Sequence, residues 1–243
     1  MTSRRAFLTS VAAVTTGALA GCSGTDGSAG EAATATETNG GTDADESSST
    51  TTESPKSLAN HPGTKGLESQ PVLGPAPADA TGVIVAFEDP SCPTCRRWER
   101  GTLPEIRSKL VDPGTVSLVF RGFPVVYPWG KPATHALEAT FERDSDVFWD
   151  LKDHYYAEQG SFDSENVLSK TKSFLSDTDV DGDAVVSDVE GGATNDAVNL
   201  DLDAGKAAGA RGTPTFLLFR DGDFRTTVVG AQSYSVFANA LGV

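Results

Sequence analysis

Aromatic side chains are distributed very unevenly along this chain of 243 residues, and their distribution limits where a core can form. After Phe7, no aromatic residue occurs before Phe87. Residues 22–70 consist mainly of Ser, Thr, Gly, Ala and acidic residues. Such a segment cannot bury enough apolar surface to offset the entropy that is lost on ordering. The sequence therefore predicts a disordered tether over 22–70, in which His61 has no specific role, and a folded domain over 71–243.

Residues 1–21 have the features of an export signal. An arginine pair at positions 4–5 precedes an uncharged Ala- and Thr-rich segment, residues 6–20. That segment is too short and too weakly apolar for a convincing membrane span. Residues 3–8, Ser-Arg-Arg-Ala-Phe-Leu, resemble the twin-arginine signal, although Thr9 stands where a lysine often follows. We therefore predict export, by the route that carries proteins already folded.

The end of this segment, Leu-Ala-Gly-Cys at residues 19–22, resembles a lipobox. In a lipobox the cysteine becomes the lipid-modified first residue of the mature protein, so the pattern predicts lipidation at Cys22. The other interpretation, an ordinary cysteine near a cleavage site, stays open. The favoured interpretation places the mature protein outside the cell membrane and anchored to it by lipid.

Charge and cysteine content exclude some classes of protein. The chain carries 34 acidic and 19 basic residues, a formal net charge of −15, which argues against nucleic acid as a partner because phosphate binding needs clustered Lys and Arg. Three cysteines cannot staple a chain of this length, so a disulfide-rich scaffold is excluded. Lysine is scarce and aspartate outnumbers glutamate, a surface composition that favours a halophilic source.

The folded part is predicted to be an α/β domain. A helical block, placed at about residues 131–192, interrupts the alternation of strands and helices. Gly101 and Pro104 are expected to break or kink the first helix. The predicted strands are Val83–Phe87 and Val116–Phe120. After the helical block come a hairpin of Thr215–Phe219 and Phe224–Val229, with its turn at Asp221-Gly222, and a last helix over Tyr234–Leu241.

Two cysteines, Cys92 and Cys95, follow the first predicted strand and begin a helix. A sulfur at a helix N-terminus lies near unpaired backbone N–H groups and the positive end of the dipole, which favours the thiolate. We therefore predict a lowered pKa for Cys92 and a nucleophilic role. A three-residue step places Cys95 on the same helix face, within reach of a disulfide. Pro93 suits the first turn, where its missing N–H is not needed.

Two other interpretations of this pair stay open. A structural disulfide would constrain the unfolded chain little, because its loop is so short. A zinc site usually needs four ligands, and the folded part offers only His135 and His154 besides the two thiols, with no second C-x-x-C. We expect both histidines to lie on helix surfaces. Redox chemistry in an exported protein is the favoured interpretation.

The sequence resembles a known family at two segments. Residues 87–95, Phe-Glu-Asp-Pro-Ser-Cys-Pro-Thr-Cys, are similar to the active-site segment of the DsbA-like thiol:disulfide oxidoreductases. Residues 212–216, Gly-Thr-Pro-Thr-Phe, are similar to the loop of that family that carries a cis-proline. The resemblance covers about residues 80–243, and it implies a thioredoxin-like fold with an inserted helical domain.

The resemblance also implies roles for individual residues. Pro214 would be cis and would pack against the active-site sulfurs. Thr213 would offer its backbone groups to a substrate peptide as a short added strand, and Pro93 and Thr94 would contact the same substrate.

The sequence departs from the family at one acidic position. Many thioredoxin-like enzymes hold a buried carboxylate six residues before the first cysteine, where this chain has Ala86. Glu88 lies on the same side of the strand, two residues further on. It either replaces the missing proton acceptor for Cys95 or lies in solvent at the strand end, and both alternatives stay open. Asp89 is predicted to stabilise a turn or to cap the helix.

Three further groups of residues lie outside the predicted active site, and a structural role is the favoured or an equal interpretation for each. Residues 177–182 begin like a calcium loop, but Asp181 or Asp183 acting as a helix cap is the favoured interpretation, and no metal site is predicted. Residues 123–129 either line a substrate groove or form a packed connection. The core of the helical block is predicted to contain the aromatic residues Phe148, Trp149, Tyr155 and Tyr156.

The predicted function is disulfide exchange with the thiols or disulfides of exported proteins, without a cofactor. Cys92 forms a mixed disulfide and Cys95 resolves it. A location outside the cell favours forming or isomerising disulfides, with recharging by a membrane redox partner. The alternative is a surface metal-binding or copper-delivery lipoprotein that uses the same two thiols. A third hypothesis is a peptide-binding domain in which the cysteines have no role.

Overall fold

A computed structural model describes residues 57–243, and the predicted export signal and Cys22 lie outside these residues. The described part contains one five-stranded sheet. Its strands are β1 Val72–Leu73, β2 Gly82–Glu88, β3 Val116–Gly122, β4 Thr215–Arg220 and β5 Asp223–Val229. They lie in the order β1-β3-β2-β4-β5, with β2 and β3 parallel and the other neighbouring pairs antiparallel. The four longer strands confirm the sequence prediction, whereas the two-residue β1 was not predicted.

Helices cover both faces of the sheet and fill the interval between β3 and β4. The first helix ends at Gly101 and a second begins at Leu103, which confirms the predicted break. In the part of the chain that the structure describes, no helix combines the length and apolarity that crossing a bilayer requires. The helices are α1 Pro93–Gly101, α2 Leu103–Ile106 continued by a π-helical turn Arg107–Val111, α3 Gly130–Phe141, α4 Ser145–Ala157, α5 Val167–Leu175, α6 Gly182–Gly191, α7 Asn195–Ala207 and α8 Tyr234–Leu241.

The central strand β2 is buried along its whole length, because both of its faces are covered. Ile84 and Ala86 pack with Trp98 of α1 in the core that α1, α2 and α8 share with the sheet. Val85 and Phe87 point to the opposite face and belong to the core that α7 covers. The side chains of a strand alternate between its two faces. The sequence of β2 is a continuous apolar run because both faces are covered by helices.

Helices α3 to α6 form the helical block around a core of their own. Phe148, Trp149 and Tyr155 belong to that core, as predicted. Tyr156 does not: it packs against Cys92 and Cys95, so its assignment to this core was wrong. The reason is that a helix turns successive side chains by about 100°, which directs Tyr155 and Tyr156 to different neighbours.

The acidic run at residues 177–182 has a structural role. The side chain of Asp181 accepts hydrogen bonds from the backbone N–H groups of Asp183 and Ala184 at 2.9 and 3.2 Å, and thereby caps α6. At the twelfth position of the calcium-like pattern, Asp188 pairs with Arg143 at 2.5 Å. The predicted helix-cap interpretation of Asp181 is confirmed.

Residues 57–70 are ordered, so the prediction that the tether extends to residue 70 was wrong for this segment. His61 is buried, its Nδ1 accepts a hydrogen bond from Gly63 N–H at 3.1 Å, and its ring packs on Phe219 and Phe224. Gly63 approaches the sheet so closely that an added Cβ would lie 2.4 Å from Leu217 Cδ1. Composition alone missed this segment because its ordering depends on contacts with distant strands.

A buried charge cluster joins this segment to the rest of the domain. Arg121 of β3 is fully buried, and its guanidinium donates to the backbone carbonyl of Lys65. Its Nε lies 3.6 Å from Asp201 of α7, whose other oxygen accepts from Gly122 N–H at 2.7 Å. Burial raises the pKa of Asp201 to about 7, although Arg121 opposes that shift, and burial raises the pKa of the neighbouring Glu138 to about 8. The guanidinium therefore faces two carboxyl groups whose pKa values are raised by burial.

Candidate active site

The two cysteines lie at the start of α1, directly beyond the carboxyl end of β2. Cys92 has extended backbone angles and occupies the N-cap position, with Pro93 in the first turn. The backbone N–H of Cys95 donates to Cys92 Sγ at 3.5 Å, so the sulfur takes the place of an ordinary capping oxygen. Cys92 is 4% exposed and Cys95 is fully buried, and both are free thiols in this structure. Of the two cysteines, Cys92 is thus the one that keeps any exposure to solvent.

The environments of the two sulfurs separate their acidities. The pKa of Cys92 falls to about 5, chiefly because the Cys95 thiol donates a hydrogen bond to it; burial opposes the shift, and backbone N–H groups of the first helical turn add to it. Burial raises the pKa of Cys95 well above its ordinary value, and the negative charge of Glu88 acts in the same direction. At neutral pH the pair therefore consists of a thiolate at Cys92 and a thiol at Cys95.

The loop before β4 lies at the same site, although it is distant from the cysteines in sequence. The Thr213–Pro214 peptide bond is cis, in agreement with the sequence prediction. Cys92 Sγ lies 3.2 Å from the carbonyl oxygen of Thr213. Pro214 is buried, whereas Thr213 is partly exposed. The pairing of β2 with β4 accounts for this approach, because it joins segments that are more than 100 residues apart.

Asp89 connects the active-site segment to the loop that follows β3. One oxygen of this buried carboxylate accepts from the backbone N–H and the hydroxyl of Ser91 at 2.8 and 2.6 Å. The other accepts from the N–H groups of Val125 and Val126 at 2.8 Å each. Asp89 thus stabilises a turn, as predicted, and also holds a second loop beside it. That loop exposes Val125, Val126 and Tyr127, whereas Phe123 and Trp129 are buried, so residues 123–129 form a packed connection at both ends.

Glu88 is buried at the end of β2, so of the two alternatives left open by the sequence the one that places it in solvent is wrong. Its Oε2 accepts a hydrogen bond from the hydroxyl of Tyr156 at 3.2 Å. Burial, followed by the charge of Glu99, raises the pKa of Glu88 well above its ordinary value. A carboxyl group with a raised pKa, electrostatically coupled to Cys95, has the properties of a proton acceptor for a buried thiol.

A profile of the family described as thioredoxin matches residues 68–226, about two thirds of the chain. The chain belongs to the thioredoxin family. Its fold is that of the DsbA-like members, since the oxidised crystal structure of BdbD from Bacillus subtilis superposes with a TM-score of 0.64 at 22% identity, covering 73% of this chain and 95% of BdbD. The crystal structure of alpha-DsbA1 from Wolbachia pipientis gives a TM-score of 0.60 at 19% identity, covering 71% and 89%.

Curated sequences include relatives of the same kind. A probable disulfide bond formation protein D from Bacillus cereus is 30% identical over 142 residues, which cover 56% of this chain and 65% of that protein. The match therefore spans slightly less than two thirds of the relative's length.

In this thioredoxin-family protein the helical block supplies part of the site. Tyr156 of α4 contacts both cysteines, and its backbone carbonyl accepts from Arg96 Nε of α1 at 2.7 Å. Gln159, just after α4, donates through its side-chain amide to the carbonyl oxygens of Pro90 and Cys92 at 2.8 and 3.0 Å. Sequence reasoning missed these contacts, because nothing in the local pattern of α4 indicates which element it meets.

The remaining residues named by sequence reasoning are two neighbours of Cys92 and two histidines of the helical block. Pro93 is exposed beside Cys92, and Thr94 accepts a hydrogen bond from Arg97 at 3.0 Å. His135 is buried and pairs with Thr194 Oγ1 at 2.8 Å, so the expectation that it lies on a helix surface was wrong. His154 is half-buried and stacks on Phe174 within the helical block.

Proposed function

We propose that this chain is a thiol:disulfide oxidoreductase in which Cys92 reacts with protein substrates and Cys95 completes the exchange. The observation that carries the proposal is the difference in acidity between the two sulfurs: Cys92, at a helix N-terminus, has a lowered pKa, whereas the fully buried Cys95 has a raised one. A structural disulfide needs no such difference, whereas disulfide exchange needs one attacking and one resolving sulfur. The name of the Bacillus cereus relative supports the same chemistry.

The proposed reaction has two steps. In the oxidising direction a substrate thiolate attacks Cys92 of the Cys92–Cys95 disulfide, and Cys95 leaves and takes up a proton. A second substrate thiolate then attacks the substrate sulfur of the mixed disulfide, so that the substrate gains a disulfide and Cys92 leaves as a stable thiolate. The low pKa of Cys92 favours this direction because it stabilises the leaving group. Glu88 is the proposed proton partner of Cys95.

The proposed substrates are thiols or disulfides of exported proteins. Thr213 is partly exposed and lies next to Cys92 Sγ, which supports the proposal that its backbone pairs with an extended substrate segment, with Pro93 and Thr94 as further substrate contacts. Repeated oxidation requires that electrons leave the reduced pair, so we also propose a membrane redox partner that restores the disulfide.

The redox equilibrium of the pair against glutathione tests the function and its direction. We expect full interconversion of the Cys92 and Cys95 dithiol with its disulfide, and transfer of that disulfide to a reduced, unfolded protein. A potential as low as thioredoxin's, roughly −270 mV, would contradict the oxidising direction. Tight stoichiometric metal binding without any disulfide exchange would contradict the function itself and would support the metal-binding alternative.

The proposed location is the outer face of the cell membrane, through export by the twin-arginine route and lipidation of Cys22. This proposal depends on the sequence of residues 1–22 alone. In cells fed a labelled lipid precursor we expect the label on the protein, and its loss in Cys22→Ser. Labelling that persists in this variant would show that Cys22 is not the lipid attachment site.

A further inference from the structure

Three segments of the chain meet at Cys92. The first is α1 with its N-cap, residues 92–101, to which the sulfur itself belongs. The second is the loop 123–129, whose Tyr127 N–H donates to Ser91 Oγ at 3.0 Å, directly before Cys92. The third is the loop 208–214, which contains the Thr213 carbonyl oxygen next to Cys92 Sγ. The exposed surface of these three segments is called the active-site face below.

The active-site face differs in charge from the chain as a whole. The chain carries 34 acidic and 19 basic residues, yet every exposed charged residue of the three segments is basic. Their one acidic residue, Glu99, is buried, and its Oε1 lies 2.5 Å from Lys152 Nζ. On the side of α4 the exposed residues Asp153 and Glu158 border the face. The exposed charged residues of the face are Arg96, Arg97, Arg100 and Arg211.

Two of these four arginines have partners that account for them. Arg96 donates to the carbonyl oxygens of Tyr156 and Ala157 at 2.7 and 3.3 Å. These carbonyls belong to the C-terminal end of α4, where a positive charge is favourable. Arg100 lines a surface pocket of about 250 Å³ together with Asp153, whose negative charge compensates its own.

Arg97 and Arg211 have no such compensation. Within residues 57–243 neither forms an ion pair, whereas eight other basic side chains do. Arg97 follows Cys92 by five residues, about 7.5 Å along the axis of α1. Arg211 precedes Thr213 by two residues, a separation of at most about 7 Å. The two arginines thus come from the two elements that meet at the sulfur, and each lies at about one Debye length from it at 0.1 M salt.

The acidity of Cys92 does not explain these two charges. The pKa of Cys92 is lowered chiefly by the hydrogen bond from the Cys95 thiol, with further hydrogen bonds from the backbone of the first helical turn. A single exposed arginine is ordinarily just solvated. Here, however, the sign of the exposed charge is reversed on the face that carries the reactive sulfur. That location points to whatever approaches the sulfur.

We propose that the active-site face recognises acidic substrate segments, in which Asp or Glu residues flank the reacting cysteine and pair with Arg97 and Arg211. The proposal rests on the proposed function and names its substrate class. A guanidinium group binds a carboxylate with two parallel hydrogen bonds, which suits an extended segment lying across the sulfur. The rest of the acidic chain repels such a segment, so attraction at this face alone also orients the encounter.

Two peptides that differ only in charge test this proposal. Each contains one cysteine, flanked by aspartates in one peptide and by lysines at the same positions in the other. The disulfide form of the full-length protein is mixed with excess peptide, quenched with acid and analysed by mass spectrometry. Two peptide thiols are oxidised to one peptide disulfide while the Cys92–Cys95 disulfide is reduced to two thiols. The charge preference is the rate constant for the acidic peptide divided by that for the basic one.

For the double variant Arg97→Gln and Arg211→Gln we expect the charge preference at 50 mM salt to fall by about tenfold relative to the unmodified protein. Taking the ratio between the two proteins cancels the intrinsic reactivity of each peptide thiol. In 1 M salt the Debye length is about 3 Å, so the two proteins should then show the same preference. Both side chains are exposed, and neither substitution opens the core.

The matched control is the double variant Arg107→Gln and Arg225→Gln, which removes the same charge elsewhere. Arg107 lies before β3, and Arg225 lies on β5 beside Thr226, which pairs with Leu218, so both are distant from the carboxyl end of β2. We expect its charge preference to stay within about twofold of the unmodified value. An equal fall in both double variants would overturn the proposal, because the preference would then follow net charge alone.

An unchanged preference in the variant of Arg97 and Arg211 would also overturn the proposal, as would a fall that persists in 1 M salt. An anionic membrane surface is the rival partner. It would be favoured if these two substitutions, in a Cys22→Ser chain, abolished binding to phosphatidylglycerol vesicles and left the peptide preference intact. Failure of the unmodified protein to oxidise either peptide would instead contradict the proposed function.

Discussion

Replacing Cys92 with serine is expected to reduce disulfide exchange by roughly 10³-fold or more, to the background rate of the small thiols. The serine hydroxyl is not ionised at neutral pH and cannot form a disulfide. Cys95 cannot substitute for the lost nucleophile, because it is fully buried and burial raises its pKa. The measurement is the rate at which the reduced protein reacts with glutathione disulfide, followed by mass spectrometry.

Cys95→Ser is the matched variant, since it makes the same substitution one helical turn away. We expect it to perform the first step and then to accumulate the mixed disulfide at Cys92. In the unmodified protein the rate of the first step should be half-maximal near pH 5. It should decrease further at lower pH, because the thiolate of Cys92 becomes protonated. In Cys95→Ala the midpoint should rise, because the side-chain hydrogen bond that chiefly lowers the pKa of Cys92 is lost. Exchange that survives in Cys92→Ser would favour the hypothesis of a peptide-binding domain with incidental cysteines.

Deleting the chain up to residue 70, so that it begins at residue 71, is expected to lower the free energy of unfolding by roughly 3–5 kcal/mol. The deletion uncovers the apolar face around Phe219 and Phe224 that His61 contacts. It also removes the Lys65 carbonyl from the buried guanidinium of Arg121, beside Asp201. Denaturant unfolding followed by circular dichroism measures the difference.

A chain that begins at residue 57 is the control for this deletion, because it lacks the residues before the ordered segment and keeps every contact described for it. We expect its unfolding midpoint to match that of the full-length protein. Equal stability of the chains that begin at residues 57 and 71 would show that the ordered segment contributes nothing to folding.

Local patterns in the sequence were sufficient to predict most of the secondary structure. The apolar run Val83–Phe87 predicted the buried strand, and the Asp221-Gly222 turn predicted the final hairpin. Gly101 and Pro104 predicted the break in the first helix. Each of these features depends on backbone preferences and apolar patterns within about ten residues. Composition failed for residues 57–70, whose few apolar side chains become ordered only against a sheet that forms elsewhere in the chain.

The sequence by itself determined which two sulfurs are the candidates for the proposed chemistry: two cysteines three residues apart at a helix start, with the first sulfur at the positive end of the helix. The tertiary structure decided how acidic each sulfur is and which buried groups lie beside it. The strand pattern is compatible with Glu88 in solvent or in the interior. The packing of α1 and α4 around it is what buries it. Lys152 and Tyr156 lie more than 50 residues from the cysteines in sequence, and no local pattern indicates their contact with the site. The physical reason is that desolvation and charge coupling depend on every group packed around an atom, whereas a motif records only its neighbours along the chain.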